Sequence, residues 1–181
     1  MKKNCLLLLL VCGAFHVYAQ NSGGELKSPA EIFAGRKGTT LEKRFDEIGK
    51  VGFLNIQLEY ISDLTNGDKM QCIRFDVQLA NTTATGPSAV LDSNEANGLL
   101  GFLKYITTNV INRPPVDPNT EISFTDNYNM EIGCFWQKNS GWTVYLRTTA
   151  DNPATETDIY QVDINGLIRT LTLAKTEMKK S

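Results

Sequence analysis

Histidine is nearly absent from this chain of 181 residues, and its single copy, His16, lies in a stretch that resembles a secretory signal peptide. Two lysines, a short apolar run and a small-residue ending at Ala19 make up that stretch, residues 1–19. Cleavage between Ala19 and Gln20 would remove the histidine. We therefore expect an exported protein without serine or cysteine triads, histidine general bases or histidine-ligated zinc.

Long apolar runs are also missing, since no segment approaches the roughly 20 residues that a membrane helix needs. The sequence thus predicts no membrane span in the mature chain. Lipid attachment at Cys12 is disfavoured, because Val11 occupies a position where a small residue is expected. The expected location is the periplasm or the extracellular space.

Positive charge is scarce. Cleavage after Ala19 would leave 162 residues with 16 basic and 20 acidic side chains, a formal charge of −4. Such a surface does not attract a phosphate backbone, so we expect no nucleic-acid partner.

Cysteine is limited to Cys72 and Cys134 after the predicted cleavage point. The alternation of apolar residues places Cys134 on the core side of its strand and Cys72 on the opposite side of its own strand. Two sulfurs on opposite faces of one sheet do not reach bonding distance, so a disulfide is disfavoured.

The chain does contain two predicted β-hairpins, the first over residues 53–80. It reverses at Asn66-Gly67, and a two-residue turn there would put apolar pairs on one face. These pairs are Leu54 with Leu79, Ile56 with Val77, Leu58 with Phe75, and Tyr60 with Ile73. The other face would pair Glu59 with Arg74 and Gln57 with Asp76, as expected for a solvated face.

The second predicted hairpin covers residues 129–148 and reverses over Gln137–Gly141. Its apolar pairs are Trp136 with Trp142, Cys134 with Val144, and Ile132 with Leu146. On the reverse face Glu131 meets Arg147, and Tyr145 covers Gly133, an arrangement in which an aromatic ring shields a strand glycine.

A short strand ending in aspartate and then an amphipathic helix follow each hairpin. The strands are predicted at 89–92 and 159–163, and the helices at 92–111 and 163–179, with Asp92 and Asp163 as N-caps. Further strands are expected near 45–48 and at 122–125. Matching residues of the two halves are 71 to 73 positions apart, which indicates an internal repeat.

These elements predict one domain. It consists of a flexible segment 20–40 with a helical turn opened by Ser28, a first repeat 41–113, a linker 114–120 and a second repeat 121–181. The predicted class is α+β, an antiparallel sheet built from two strands-then-helix repeats with both helices on one face. The alternative is a β-barrel-like or lipocalin-like antiparallel fold with a C-terminal helix.

The order of elements resembles that of Whirly- and PUR-type single-stranded nucleic-acid-binding repeats, in which each antiparallel sheet is followed by a helix. The resemblance is one of element order, and no motif residue is shared. Those proteins need a basic sheet face, so the acidic balance of this chain keeps their ligand from being transferred to it.

Three aromatic residues are the candidate ligand site: Trp136, Trp142 and Tyr145 could form a platform for a sugar or another flat ligand. The two tryptophans share strand parity with the apolar residues Ile132 and Leu146, which favours a pair in the core instead. No residue pattern predicts a catalytic site, a metal site or a cofactor. The segment 92–98 resembles a calcium loop but has Ala96 at a ligand position.

The sequence therefore favours an exported, non-enzymatic protein that binds an envelope protein or glycan, with an unknown oligomeric state. One alternative is a carboxylate-based hydrolase of the glycosidase type, which would need two carboxyl groups about 5 to 10 Å apart in a cleft, one with a raised pKa. The other is a chaperone or inhibitor that captures a partner's strand on a long unpaired sheet edge.

Overall fold

The computed structural model describes residues 27–78 and 85–179 of the chain. The predicted signal peptide, the cleavage point between Ala19 and Gln20, and residues 20–26 of the predicted flexible segment lie outside the described residues. The final two residues of the first predicted hairpin, Leu79 and Ala80, also lie outside them.

The predicted α+β class is confirmed, because the described residues form two four-stranded antiparallel sheets and three α-helices without a closed barrel. Four strands and then a long helix occur twice along the chain. The first unit consists of α1 (Pro29–Ala34), β1 (Leu41–Val51), β2 (Leu54–Asp63), β3 (Lys69–Gln78), β4 (Thr85–Leu91) and α2 (Ser93–Asn109). The second consists of β5 (Glu121–Thr125), β6 (Glu131–Gln137), β7 (Gly141–Arg147), a 3-10 turn (Pro153–Thr155), β8 (Glu156–Ile159) and α3 (Gln161–Met178).

The strands follow sequence order across each sheet, so β1 and β4 are the edges of the first sheet and β5 and β8 the edges of the second. The strand pattern of the sequence had indicated one sheet for all of them. The break falls at α2 and the loop after it, which carry the chain away from β4 before β5 begins.

The predicted register of the second hairpin is confirmed at every pair. Trp136 lies opposite Trp142, Glu131 opposite Arg147, and Gly133 opposite Tyr145. This alignment places the ring of Tyr145 over Gly133, where a larger side chain would clash with it.

The predicted register of the first hairpin is wrong by two residues. Leu54 lies opposite Val77, and Tyr60 lies opposite Gln71. The loop contains four residues rather than two, because the amide of Asp63 donates to the carbonyl of Asp68 and closes the hairpin one pair earlier. A shift of two preserves the side on which each residue lies, so the predicted core face survives.

Two of the three predicted helix starts are confirmed. Ser28 and Asp92 each cap a helix through a capping box. In each box the carboxylate of the third helical residue, Glu31 or Glu95, accepts a hydrogen bond from the backbone N–H of the cap residue. The Ser28 helix, α1, lies inside the segment predicted to be flexible.

The prediction that Asp163 caps the last helix is wrong. This helix, α3, begins at Gln161 after Tyr160, which makes no side-chain cap, and Asp163 lies in its first turn. The predicted position of the preceding strand, 159–163, is also wrong, since β8 covers Glu156–Ile159 and ends with Ile159 opposite Val144. A carboxylate in the first turn still favours the helix through the helix dipole.

One hydrophobic cluster joins the two units. From the first sheet it contains Leu54, Ile56, Leu58, Ile73, Phe75 and Val77, and from the second Met130, Ile132, Cys134, Val144 and Leu146. The apolar faces of α2 and α3 belong to the same cluster, and these two helices also pack against each other. We call the sheet side that faces this cluster the inner face and the opposite side the outer face.

Candidate interaction surface

The longest edge strand of the two described sheets is β1, which begins the first sheet. It spans 11 residues and pairs with β2 on one side, and no described strand pairs with its other side. Six consecutive residues, Glu42 to Glu47, are exposed. An edge of this kind presents unpaired N–H and C=O groups that can accept a further strand.

The side chains of this edge are charged except for one phenylalanine. Lys43 and Arg44 precede Phe45, and Asp46 and Glu47 follow it. Phe45 is 46% exposed. This ring gives the unpaired edge an aromatic surface that an added strand would cover, and aromatic residues are enriched in the buried centre of interfaces.

The free part of β1 ends near a bulge. The register with β2 shifts between Glu47 and Gly49. At Gly49 helix α3 packs closely, and a Cβ built on Gly49 would lie 3.2 Å from the Cγ2 of Thr170. The accessible edge therefore spans about Leu41 to Glu47, and the remainder of the strand is occupied by the chain itself.

The other sheet edges are shorter. β4 has seven residues, including Pro87, whose ring nitrogen donates no hydrogen bond. β5 has five residues and β8 has four. Of the four edges in the described part of the chain, β1 thus offers the longest surface for an added strand.

Ionic contacts on the outer face hold β1 to the strands beside it. The Nζ of Lys43 lies 3.2 Å from Oε1 of Glu59, and Nη1 of Arg74 lies 3.4 Å from Oε2 of the same carboxylate. The predicted contact between Glu59 and Arg74 therefore forms, but it is diagonal, because Cys72 lies directly opposite Glu59. The prediction of a solvated face is wrong at this position, since Glu59 is only 2% exposed beneath these partners. Arg74 also contacts Asp76 at 2.8 Å and Ser88 at 2.9 Å, so the network extends from β1 to β4.

On the inner face, the edge continues into a small polar groove beyond the core. The guanidinium of Arg44 stacks on the ring of Tyr60, 4.2 Å from its centroid, and contacts Asp46 at 3.4 Å. The groove has a volume of about 210 Å³. Its lining is formed by Glu42, Arg44, Tyr60, Ile61, Ser62, Lys69, Met70 and Gln71.

The predicted aromatic platform is packed largely into the protein. Trp136 and Trp142 meet edge to face with ring centroids 5.6 Å apart, and the indole of Trp142 donates to the carbonyl of Arg113. Trp142 is 5% exposed and Tyr145 is fully buried, which leaves Trp136 as the partly accessible member of the three. Binding of a ligand by these residues stays a prediction.

The outer face of the second sheet is built around Tyr145. Its ring covers Gly133, and its hydroxyl donates to Glu121, while burial raises the pKa of that hydroxyl. Arg147 lies over the ring at 4.4 Å and pairs with Glu131 at 2.9 Å, as predicted. Its other contact is Glu156 at 2.7 Å, so these groups tie the second sheet together.

Two carboxyl groups with raised pKa values lie at the contact between α2 and the second sheet. Glu95 is in the first turn of α2, and Asp126 is in the β5–β6 turn. Burial is the main cause of both shifts, and Asp126 adds to the shift of Glu95. Glu95 accepts from the amides of Asp92 and Asn127, and Asp126 accepts from Tyr128 and Met130. These bonds fix a helix start and a turn, and neither acid lines the polar groove.

Both cysteines of the described residues are free and buried, and they lie in different clusters. Burial raises the pKa of Cys72 to about 12 and that of Cys134 to about 11, so neither is a ready nucleophile. No group of three or more metal-ligating acids or cysteines occurs within residues 27–78 and 85–179.

The strand around Phe45 was expected from the sequence, whereas its position at a sheet edge was not. That position depends on which strands neighbour it. The one available signal is the run of five polar or charged side chains around Phe45, which a buried central strand does not tolerate.

Comparison of the chain with protein-family models and with curated proteins found no match. In the described part of the chain no helix has the length and apolar character needed to cross a membrane.

Proposed function

We propose that this protein is an exported, non-enzymatic interaction protein that joins another polypeptide by adding a strand at the free edge of β1. The observation that carries the proposal is the 11-residue edge strand with six successive exposed residues and a half-exposed phenylalanine at its centre. Main-chain hydrogen bonds would supply affinity, and the side chains on the two faces would select the partner.

The rigidity of the edge supports this proposal. Lys43 is anchored on the buried carboxylate of Glu59, and Arg44 is stacked on Tyr60, so both faces of the strand are held in place before a partner arrives. A preformed edge loses little conformational entropy on binding, which favours strand addition.

Export and an internal repeat are parts of the same proposal. The support for export is the signal-like pattern of residues 1–19. The support for a repeat is the recurrence of four strands and a helix, together with a Glu–Arg ion pair in each unit, Glu59 with Arg74 and Glu131 with Arg147. On this proposal the first unit has gained a long edge that the second unit lacks.

Photocrosslinking in the source cells tests the proposal. A benzoylphenylalanine replaces Phe45 in one variant of the full chain and Phe53 in a control variant. Phe53 is similarly exposed, at 43%, but lies in the β1–β2 turn. We expect Phe45 to yield one discrete covalent product that Phe53 does not yield, with the attached chain identified by mass spectrometry. Identical background from both positions would overturn the proposal.

A further inference from the structure

The order of charges along the free edge of β1 is complementary to the same edge running in the opposite direction. Two cations, Lys43 and Arg44, lie before Phe45, and two anions, Asp46 and Glu47, lie after it. In an antiparallel pair the second strand runs in the opposite direction, so its anions face the cations of the first.

We infer that the strand added at β1 is the β1 strand of a second copy of this chain, paired antiparallel with Phe45 opposite Phe45. The inference rests on the proposed function, because it names the partner of the same edge. The product is a two-fold symmetric dimer in which two four-stranded sheets become one continuous sheet.

The geometry of antiparallel pairing selects this register. Residues that lie directly opposite each other share a face of the sheet. In a symmetric pair of identical strands, odd-numbered residues therefore face odd-numbered ones and even-numbered residues face even-numbered ones, so the symmetry axis passes through one residue and its copy. Centring on Phe45 pairs Lys43 with Glu47 on the outer face and Arg44 with Asp46 on the inner face, each twice. Centring on Arg44 or on Asp46 instead places like charges directly opposite each other, which is destabilising.

Both side chains of the inner-face pair keep exposed surface for these contacts, although Arg44 also stacks on Tyr60. Arg44 and Asp46 are 64% and 48% exposed, and their contact within one strand is a long one at 3.4 Å. Phe45 lies on the outer face with Lys43 and Glu47, where the two rings meet at the symmetry axis. Pairing therefore covers exposed aromatic surface and matches four sets of opposite charges.

The bulge sets the extent of the pairing. Residues Lys43 to Glu47 lie before the register shift at Gly49, so all five central pairs use regular strand backbone. An edge of this length buries an area at the small end of specific interfaces. We therefore expect a dimer that dissociates on dilution through the micromolar range.

Charged edge residues ordinarily protect a sheet from self-association. That protection works when a copy of the strand meets like charges. Here opposite charges meet in the register centred on Phe45. The same register places Phe45 opposite the Phe45 of the second copy, at the symmetry axis.

Sedimentation velocity of the full chain with charge-reversal variants tests the inference. We expect the wild type to form a concentration-dependent dimer. Arg44→Glu and Asp46→Lys should each remain monomeric, because like charges then meet twice across the axis. An equimolar mixture of the two variants should restore the dimer, since the carboxylate introduced in one variant then faces the ammonium group introduced in the other. Both positions are exposed, and circular dichroism verifies that each variant is folded.

A covalent test reads the register directly. Phe45→Cys places two thiols at adjacent positions across the axis, within the Cα separation that a disulfide requires. Diamide, which accepts the two hydrogens, should convert this variant to a covalent dimer. Phe53→Cys and the wild type are the controls and should remain uncrosslinked.

The outcomes separate the two proposals. A wild type that is monomeric at all concentrations, or a mixture of charge variants that fails to associate, overturns the homodimer. If Phe45 then crosslinks a different polypeptide in cells, the proposed strand addition still stands. If Phe45 crosslinks nothing in cells, the strand-addition proposal fails as well.

Discussion

The two sheets have the same strand order and contribute to one core, yet they differ at the edge where each begins. β1 has 11 residues with a long exposed stretch, whereas β5 has five residues that alternate between exposed and half-buried. Shared topology therefore fixes how the sheets pack, while the length of the first strand decides which of them can accept a further strand.

The outer faces of the two sheets also differ, in what covers them. On the first sheet α1 covers part of the face, where Ala30 packs with Cys72 and Val90 around a buried carboxylate, Glu59. On the second sheet the side chain of Tyr145 takes the role of a cover by lying over Gly133. One face is closed by an additional element and the other by a single ring, so they should respond differently to substitution.

The largest predicted effect tests whether the sheets share a core. Ile56→Ala in the first sheet and Ile132→Ala in the second should each lower the free energy of unfolding by about 2–5 kcal/mol, because both isoleucines are fully buried. Both tryptophans of the chain lie in the second unit. Urea unfolding followed by tryptophan fluorescence should nevertheless report the loss from Ile56→Ala in full.

Far-ultraviolet circular dichroism is the control measurement for that experiment. It should give the same midpoint as fluorescence for both variants. Separate transitions for the two probes would show that the first sheet unfolds independently, and the idea of a common core would fail.

The next effect concerns the cover of the second sheet. Gly133→Ala should destabilise the protein by about 1–3 kcal/mol, because a Cβ there would lie 2.6 Å from the Cζ of a fully buried tyrosine. The matched control is Gly101→Ala in α2, where a Cβ meets nothing within 4 Å. The control should gain roughly 1 kcal/mol from helix propensity. Thermal unfolding of both variants checks the opposite signs, and equal signs would contradict the packing of Tyr145.

The hairpins show how much of the fold local sequence determines. The register of the second hairpin follows from its own residues, because the same alignment pairs apolar residues on one face and puts Tyr145 over Gly133 on the other. In the first hairpin Asn66-Gly67 favours a two-residue turn, but the carboxylate of Asp63 binds the amide of Thr65 and stabilises a longer loop. Gly67 alone adopts a positive φ there.

The free edge of β1, which is the candidate site, is harder to predict from the sequence than the hairpins are. The periodicity that identifies strands does not show which strand is outermost. In the sequence, the charged residues around Phe45 are the one signal for an edge, and the sheet order establishes it. The meeting of Glu95 with the turn at Asp126 is likewise a tertiary contact between distant segments. The helix start at Gln161 was missed because Tyr160, which follows β8, is not a recognisable cap.

The ion pairs on the two outer faces give a smaller, graded effect. Arg74→Gln should cost about 2 kcal/mol, because among the described residues it leaves the buried carboxylate of Glu59 with Lys43 as its one remaining ion-pair partner. Arg147→Gln should cost less than about 1 kcal/mol, since Glu131 and Glu156 are more exposed to water. Chemical denaturation of both variants at low and high salt measures the difference. Equal losses would show that burial of Glu59 has no energetic weight.

The smallest effect comes from two turn aspartates whose pKa values are shifted in opposite directions. The hydroxyl of Thr39, the amide of Thr65 and Arg36 lower the pKa of Asp63. Burial raises the pKa of Asp126, and the charge of Glu31 adds to that shift. The Oδ2 atom of Asp126 has no hydrogen-bond partner among the described residues. Folding therefore favours the charged form of the first aspartate and the neutral form of the second.

The sign of the pH dependence follows from linkage. The contribution of Asp63 is present at neutral pH and is lost as the pH falls below the usual carboxyl range near 3.8. The contribution of Asp126 has the opposite sign, because the native state holds its proton more tightly than the unfolded chain does, so stability falls as the pH rises through its raised pKa. Asp63→Asn should thus destabilise the protein at pH 7, whereas Asp126→Asn should stabilise it by a fraction of about 1 kcal/mol. Urea unfolding over a series of pH values distinguishes them. The gain from Asp126→Asn should shrink as the pH falls, and a loss of stability at pH 7 would show that Oδ2 of Asp126 is paired in the folded protein.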